Sequence, residues 1–173
     1  IFAFSSCQTK RTNENLPVGN NAANITSTDT LTITDNVAVD DPFGFGDRPL
    51  TFLLSDTSVT PEIKTEDYQV EGEATKQGTY FALKYDGDFF AFYKRSDSVE
   101  FCTNSELLTA KFSTKSGLKI GMTKKEVLKY WHHYKIQAIP NVVIIWDESM
   151  NSSIQFEFKN DRLHRIFYEP YFD

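Results

Sequence analysis

Cysteine is almost missing from this chain of 173 residues, which holds only Cys7 and Cys102. Two cysteines cannot build a disulfide scaffold, and no Cys/His spacing matches a structural zinc site. Eight Gly and six Pro are too few for a low-complexity or collagen-like chain. No apolar run reaches the roughly 20 residues that a membrane-spanning helix needs. Positive charge is in deficit, with 18 Lys+Arg against 24 Asp+Glu, a net −6. The isoelectric point of about 5.1 argues against a nucleic-acid partner, which calls for a basic stripe. Phosphate loops, dinucleotide fingerprints, nucleophile elbows and zincin helices are also missing as motifs. The length predicts one domain plus a tail, with room for a core of ordinary size.

Aromatic residues are absent from Gln8 to Asp41, where Thr, Asn and Asp dominate. Such a stretch buries too little apolar surface to offset its ordering entropy, so residues 7–42 are expected to form a flexible tether. Leu31-Thr32-Ile33 and Val37-Ala38-Val39 alternate weakly, and one of them is a candidate edge strand. Ahead of the tether, Ile1-Phe2-Ala3-Phe4-Ser5-Ser6-Cys7 resembles a bacterial lipobox: an apolar run, two small residues, then Cys. The resemblance implies that residues 1–6 are a signal-peptide remnant and that the Cys7 thiol carries lipid. It implies a protein anchored to the outer membrane of a Gram-negative bacterium, on a face the sequence leaves open.

Of the 25 aromatic residues, all but Phe2 and Phe4 lie at Phe43 or later. Residues 43–173 are therefore expected to be a single globular domain. Period-two alternation predicts strands over Tyr68–Ala74, Thr79–Tyr85 and Asp88–Arg95. Asp86-Gly87 joins the last two as a hairpin. Thr51–Ser55, Val99–Cys102 and Leu107–Phe112 read as further short strands, with Cys102 a small buried hydrophobe. Val142–Trp146, Ser153–Lys159 and Arg162–Tyr168 follow, the last two joined by Asn160-Asp161. Thr123-Lys124-Lys125-Glu126 is a capping box that opens a helix over about 123–135, its apolar face formed by Val127, Tyr130, Trp131 and Tyr134. The expected fold is α+β: a mainly antiparallel meander with one principal helix packed on one face.

Gly121-Met122-Thr123-Lys124-Lys125-Glu126-Val127 resembles the Gly-Met-Thr-x-x-Glu-Val signature of the BamE/SmpA/OmlA family of small envelope lipoproteins. It is similar, more broadly, to β-lactamase-inhibitor-protein-like folds. Ile154-x-Phe156-x-Phe158-Lys159-Asn160-x-x-Leu163 fits the closing hairpin of such proteins. The likeness spans about residues 113–168 and implies an adaptor or interaction domain without catalytic residues. From the residues themselves, Gly121 is expected to permit a close approach without a Cβ, Gly117 to take a positive φ, and Met122 to staple onto Val127.

Few groups suggest chemistry. His132 and His133 point about 100° apart on a helix, so they do not share a metal. Glu126 lies near the start of the same helix, and a site from His133, His164 and one carboxylate would need distant segments to converge. Asp40–Asp47 is a turn-rich acidic hinge whose spacing matches no calcium loop. Asp86, Asp88, Asp147 and Glu148 occupy turn positions. Phe89-Phe90-Ala91-Phe92-Tyr93 places aromatics on both sides of one strand, and the side away from the core is a candidate partner face. Tyr168–Asp173 is expected to tuck onto the sheet. The reading that follows is a non-enzymatic envelope lipoprotein with a protein-binding or adaptor domain. It has no catalytic residue, metal or cofactor, and its binding residues are unassigned. Its partners are an unidentified envelope protein and, through the anchor, the membrane; nucleic acid is not among them. An inhibitor or immunity-type protein is the alternative, and a small-molecule or metal-binding enzyme the less favoured one.

Overall fold

A computed structural model describes residues 24–27, 30–68, 77–149 and 151–170. In chain order the strands are β1 (Asn24–Ser27), β2 (Thr30–Thr34), β3 (Glu62–Tyr68), β4 (Gly78–Tyr85), β5 (Asp88–Arg95), β6 (Glu100–Leu107), β7 (Val142–Asp147), β8 (Ser152–Lys159) and β9 (Arg162–Glu169). The helices are α1 (Asn36–Val39), α2 (Pro49–Ser55) and α3 (Lys124–Tyr130), with a 3-10 turn at His132–Tyr134. The nine strands of the described residues share one sheet, ordered β1-β2-β7-β8-β9-β6-β5-β4-β3.

The predicted antiparallel meander with one principal helix is corrected on three points. The sheet is mixed, because β2 lies parallel to β7, with Leu31 opposite Val143 and Ile33 opposite Ile145. The helix predicted over about 123–135 stops at Tyr130, and the chain tightens into the 3-10 turn that ends on Lys135 at φ +56°. Two further short helices exist. Thr51–Ser55, expected as a strand, lies in α2, because Pro49 occupies a first-turn position and Leu50 and Leu53 both reach the core. Three apolar residues in a row, Phe52-Leu53-Leu54, carry no period that separates strand from helix. Likewise Val37-Ala38-Val39 is α1 rather than a strand. The strands expected at Val99–Cys102 and Leu107–Phe112 are replaced by one strand, β6, which ends at Leu107, so residues 108–112 are not strand.

Residues 30–42, expected within the tether, belong to the folded body: Leu31 and Val39 are buried in the same core as Phe90. The body therefore starts ahead of Phe43. The predicted strand at Tyr68–Ala74 meets β3 only at Tyr68, and residues 69–74 lie outside the described residues, as do Ile1–Cys7 and residues 171–173.

Both predicted hairpins form. Asp86 (φ +44°) and Gly87 (φ +118°) turn β4 into β5, and Asn160 (φ +51°) and Asp161 (φ +63°) turn β8 into β9. The capping box at Thr123 forms in both directions. Gly117 takes its positive φ of +90°. Gly121 differs from expectation: a Cβ there would meet nothing within 4 Å, so its φ of +93° is what favours glycine.

One face of the sheet is the core. Phe90 lies at its centre, with ring contacts to Phe43, Phe45, Tyr85, Phe92 and Phe112 at centroid distances of 5.0–6.2 Å. Those rings come from β4, β5 and two loops, so burial of one side chain draws together pieces far apart in sequence. Trp131 is buried against Phe156 and Phe158 of β8, which fixes α3 on the same face. The opposite face is half-buried and polar at its middle. There Arg165 pairs with Glu106 and Glu157 and lies over the ring of Phe167.

Glu100 ties α2 down. Its buried carboxylate accepts from the Thr51 amide at 2.9 Å and from the Thr51 hydroxyl at 2.5 Å. Burial alone pushes this carboxyl up, but the Thr51 bonds and Lys94 outweigh it and hold the group below its ordinary range. The folded state therefore gains stability from the ionised form above the unfolded value and loses it as pH falls through the lower, folded one. Glu100→Gln is expected to destabilise the protein at neutral pH. The gap to the native chain should close as pH falls below the ordinary glutamate value of 4.5; urea unfolding at a series of pH values measures it.

Candidate functional site

Asp35 organises a region where the core surface opens toward solvent. Its amide donates to the Trp146 carbonyl at 3.0 Å and so extends the β2–β7 pairing by one bond. Its Oδ1 accepts from the amides of Val37 (3.0 Å) and Ala38 (3.1 Å), capping α1. Its Oδ2 accepts from the Tyr134 hydroxyl at 2.5 Å. One carboxylate thus joins α1 to the 3-10 turn after α3. Burial first, and then the Asp35 carboxylate, push the Tyr134 hydroxyl upward, so the phenol stays protonated and remains the donor. The Lys115 amide, donating to the Pro42 carbonyl at 2.7 Å, closes the third side.

Between these walls lies a cleft of about 310 Å³. Ile145, Ile154 and Phe156 form its floor, and Trp131 and Ala38 its apolar sides. Val37 and Tyr130 stand at the mouth, 86% and 40% exposed. Lys115, His133, Asp40 and Asp41 also line the cleft, with the Lys115 ammonium 4.0 Å from the Asp41 carboxylate. A second cleft of about 210 Å³ shares the Asp40–Pro42 wall and includes Cys102, Asp147 and Tyr168.

The arrangement is suited to holding apolar surface rather than to bond-making. Burial pushes the Cys102 thiol up to about 12, so the thiolate needed for attack is scarce at neutral pH. Burial likewise pushes the Tyr168 hydroxyl up. Asp147 is occupied by the amide and hydroxyl of Ser149. Asp41 accepts from the amides of Phe45 (2.8 Å) and Gly46 (3.0 Å), so the 40–47 hinge is a self-bonded turn that carries Phe43 and Phe45 to the core.

The remaining sequence candidates do not converge. The His132 and His133 rings are perpendicular at 5.7 Å, and His133 packs on Tyr134. His164 is an exposed residue of β9 and lines neither cleft. Among the described residues no group of three His, Cys, Asp or Glu side chains is placed to hold a metal ion. Glu126 is taken up by its capping box. Asp88 is buried, with its carboxylate filled by Leu108 and Thr109, whereas Asp86 is open to water. Glu148 is exposed. On the 89–93 strip, Phe90 and Phe92 face the core, Phe89 is half-buried on the other side, and Tyr93 is buried against Tyr80.

Residues that sequence reasoning missed are Asp35, Val37, Ala38 and the phenol of Tyr134. A signal was present: Asp35 ahead of Asn36-Val37-Ala38-Val39 is a helix N-cap followed by apolar positions. No protein-family model, curated protein or solved structure matches the chain.

Tyr134→Phe keeps the ring and deletes the donor. It is expected to cost about 0.5–3 kcal/mol, toward the upper end because the acceptor is a carboxylate. Added to Asp35→Ala it should cost little more, and the coupling in a double-mutant cycle by urea unfolding measures the bond.

Proposed function

We propose that this chain is a non-enzymatic lipoprotein of the bacterial cell envelope whose folded body binds another protein through the cleft between α1 and α3. The observation that carries the binding reading is the cleft itself: an apolar floor of Ile145, Ile154 and Phe156, with Val37 left 86% exposed at its mouth. A side chain that large and that open gains by transfer to a partner, and an apolar slot with a polar rim is where a partner's anchor residue fits. Around it, Asp35 and Asp41 are engaged in a helix cap and a turn and Tyr134 in its bond to Asp35, which suits recognition better than proton transfer.

The envelope reading rests on Ile1–Cys7 and on the likeness of Gly121–Val127 to the BamE/SmpA/OmlA lipoproteins. Among the described residues no helix is long and apolar enough to cross a membrane, and a lipid on Cys7 supplies an anchor by another route. A diacyl or triacyl anchor holds a protein to a bilayer stably, where one chain gives only marginal binding.

A photo-cross-linking residue placed at Val37 in the native host is expected to yield one discrete protein adduct. Ala38→Trp, which fills the slot, should remove that adduct while the protein stays folded by circular dichroism. No adduct, or one indifferent to Ala38→Trp, would contradict the binding reading. The anchor is tested separately: the full precursor is expected in the detergent phase on partitioning, and Cys7→Ala in the aqueous phase. A Cys7→Ala protein that still partitions into detergent would refute lipidation at that thiol.

A further inference from the structure

Cationic side chains are concentrated beside the cleft, in a chain that is acidic elsewhere. Between Lys111 and Lys135 lie seven of the 18 Lys and Arg and one of the 24 acids, so these 25 residues carry +6 and the remainder −12. Lys111 stands apart, 3.9 Å from Asp86 in the β4–β5 turn, and the others lie on α3 and the segments that flank it. Lys125 and Lys129, four apart on α3, are exposed on the side away from buried Val127. Lys119, Lys125, Lys129 and Lys135 make no ion pair among the described residues, and Lys115 reaches Asp41 only at 4.0 Å. The amide of Lys124 donates to the Asp161 carbonyl at 3.0 Å, which sets α3 against the β8–β9 turn, where Lys159 and Arg162 are also exposed. The acids in this band are Asp161, in the turn, and Glu126, whose carboxylate accepts from the Thr123 amide and hydroxyl. A basic band therefore runs from the Lys115 rim of the cleft, over α3, to the end of the β8–β9 hairpin.

We infer that the cleft's partner is an acidic polypeptide segment, one apolar side chain of which enters the slot while flanking carboxylates lie over α3. The inference rests on the cleft reading above and adds the chemistry of the occupant. Exposed lysines without an ion pair, such as Lys125 and Lys129 four apart on α3, repel one another, and a carboxylate-bearing partner relieves that repulsion. The band is lysine with a single arginine, which offers point charges rather than the bidentate forks that select individual phosphates. The cleft excludes a uniform polyanion on two grounds. Its apolar floor demands a side chain, which neither a nucleic-acid backbone nor a headgroup layer supplies. The 40–42 strip beside Lys115 holds Asp40 and Asp41, which repel negative charge. A polypeptide that puts an apolar side chain in the slot and its carboxylates over α3, clear of the 40–42 strip, satisfies both grounds.

Fluorescence anisotropy on the full chain tests this with three labelled peptides of about 12 residues. The first has a central Leu-Phe flanked by Glu, the second has the same core flanked by Lys, and the third has Glu flanks around Ala-Ala. The first is expected to bind saturably and about tenfold or more tighter than the other two. Lys125→Glu/Lys129→Glu, at solvent-facing positions and checked by circular dichroism, should weaken it about tenfold. Raising the salt from about 50 to about 300 mM should weaken it several-fold, as screening requires. Equal binding of the Lys-flanked peptide would overturn the charge inference and leave the cleft reading standing. No binding by any of the three would overturn both. Equal binding of the Ala-Ala peptide, of a DNA duplex or of anionic vesicles would overturn the inference in favour of a general polyanion surface.

Discussion

Five residues, Thr30–Thr34, lie parallel to Val142–Trp146, and that pairing decides where the molecule has a cleft. It brings Leu31 into the core and delivers Asp35 to the end of β7, where one carboxylate caps α1 and holds the Tyr134 hydroxyl. Without this strand the slot over Ile145, Ile154 and Phe156 would have α3 on one side and water on the other. Parallel strands need a long crossover, and here the entire span from α1 to the 3-10 turn after α3 serves as one. The site is therefore a long-range product of the fold rather than the work of a local motif.

Coverage of the core face follows from the same constraint. A sheet with one apolar face needs a second layer, and here the layer is assembled from short pieces, each fixed by a specific polar tie. Glu100 fastens α2 through Thr51, Asp35 fastens α1, and Asp88 fastens the 108–109 turn. Each carboxylate is satisfied by backbone donors, which is how charge sits beside so many aromatic rings without penalty. A cover made of pieces leaves seams, and the two clefts lie on either side of the Asp40–Pro42 strip.

Legibility in the sequence tracked the range of the interactions. Asp86-Gly87 and Asn160-Asp161 gave both hairpins, because a two-residue turn is decided by its own φ requirements. Thr123 and Glu126 gave the start of α3, because a capping box is complete within four residues. The end of α3 was not legible. Tyr134 keeps helical spacing with Val127 and Trp131, but its hydroxyl is held by Asp35, 99 residues away, and the last turn is 3-10. Leu31-Thr32-Ile33 alternates weakly and Val142–Trp146 reads as a strand, but nothing in either segment points to the other, and the absence of aromatics around Leu31 pointed toward a tether. For the same reason the α1 wall of the cleft went unread, although Asp35 and the apolar positions after it were in view.

Native-state amide hydrogen exchange, resolved by residue, tests the central claim that the segment from Thr30 to Val39 is part of the folded body and walls the cleft. The account predicts that the amides of β2 that bond to β7 exchange as slowly as those between β7 and β8, in one cooperative unit. Fast exchange throughout Thr30–Val39, beside a protected β7–β8 pair, would contradict it: the segment would then be a tether after all, and the cleft would lack its second wall.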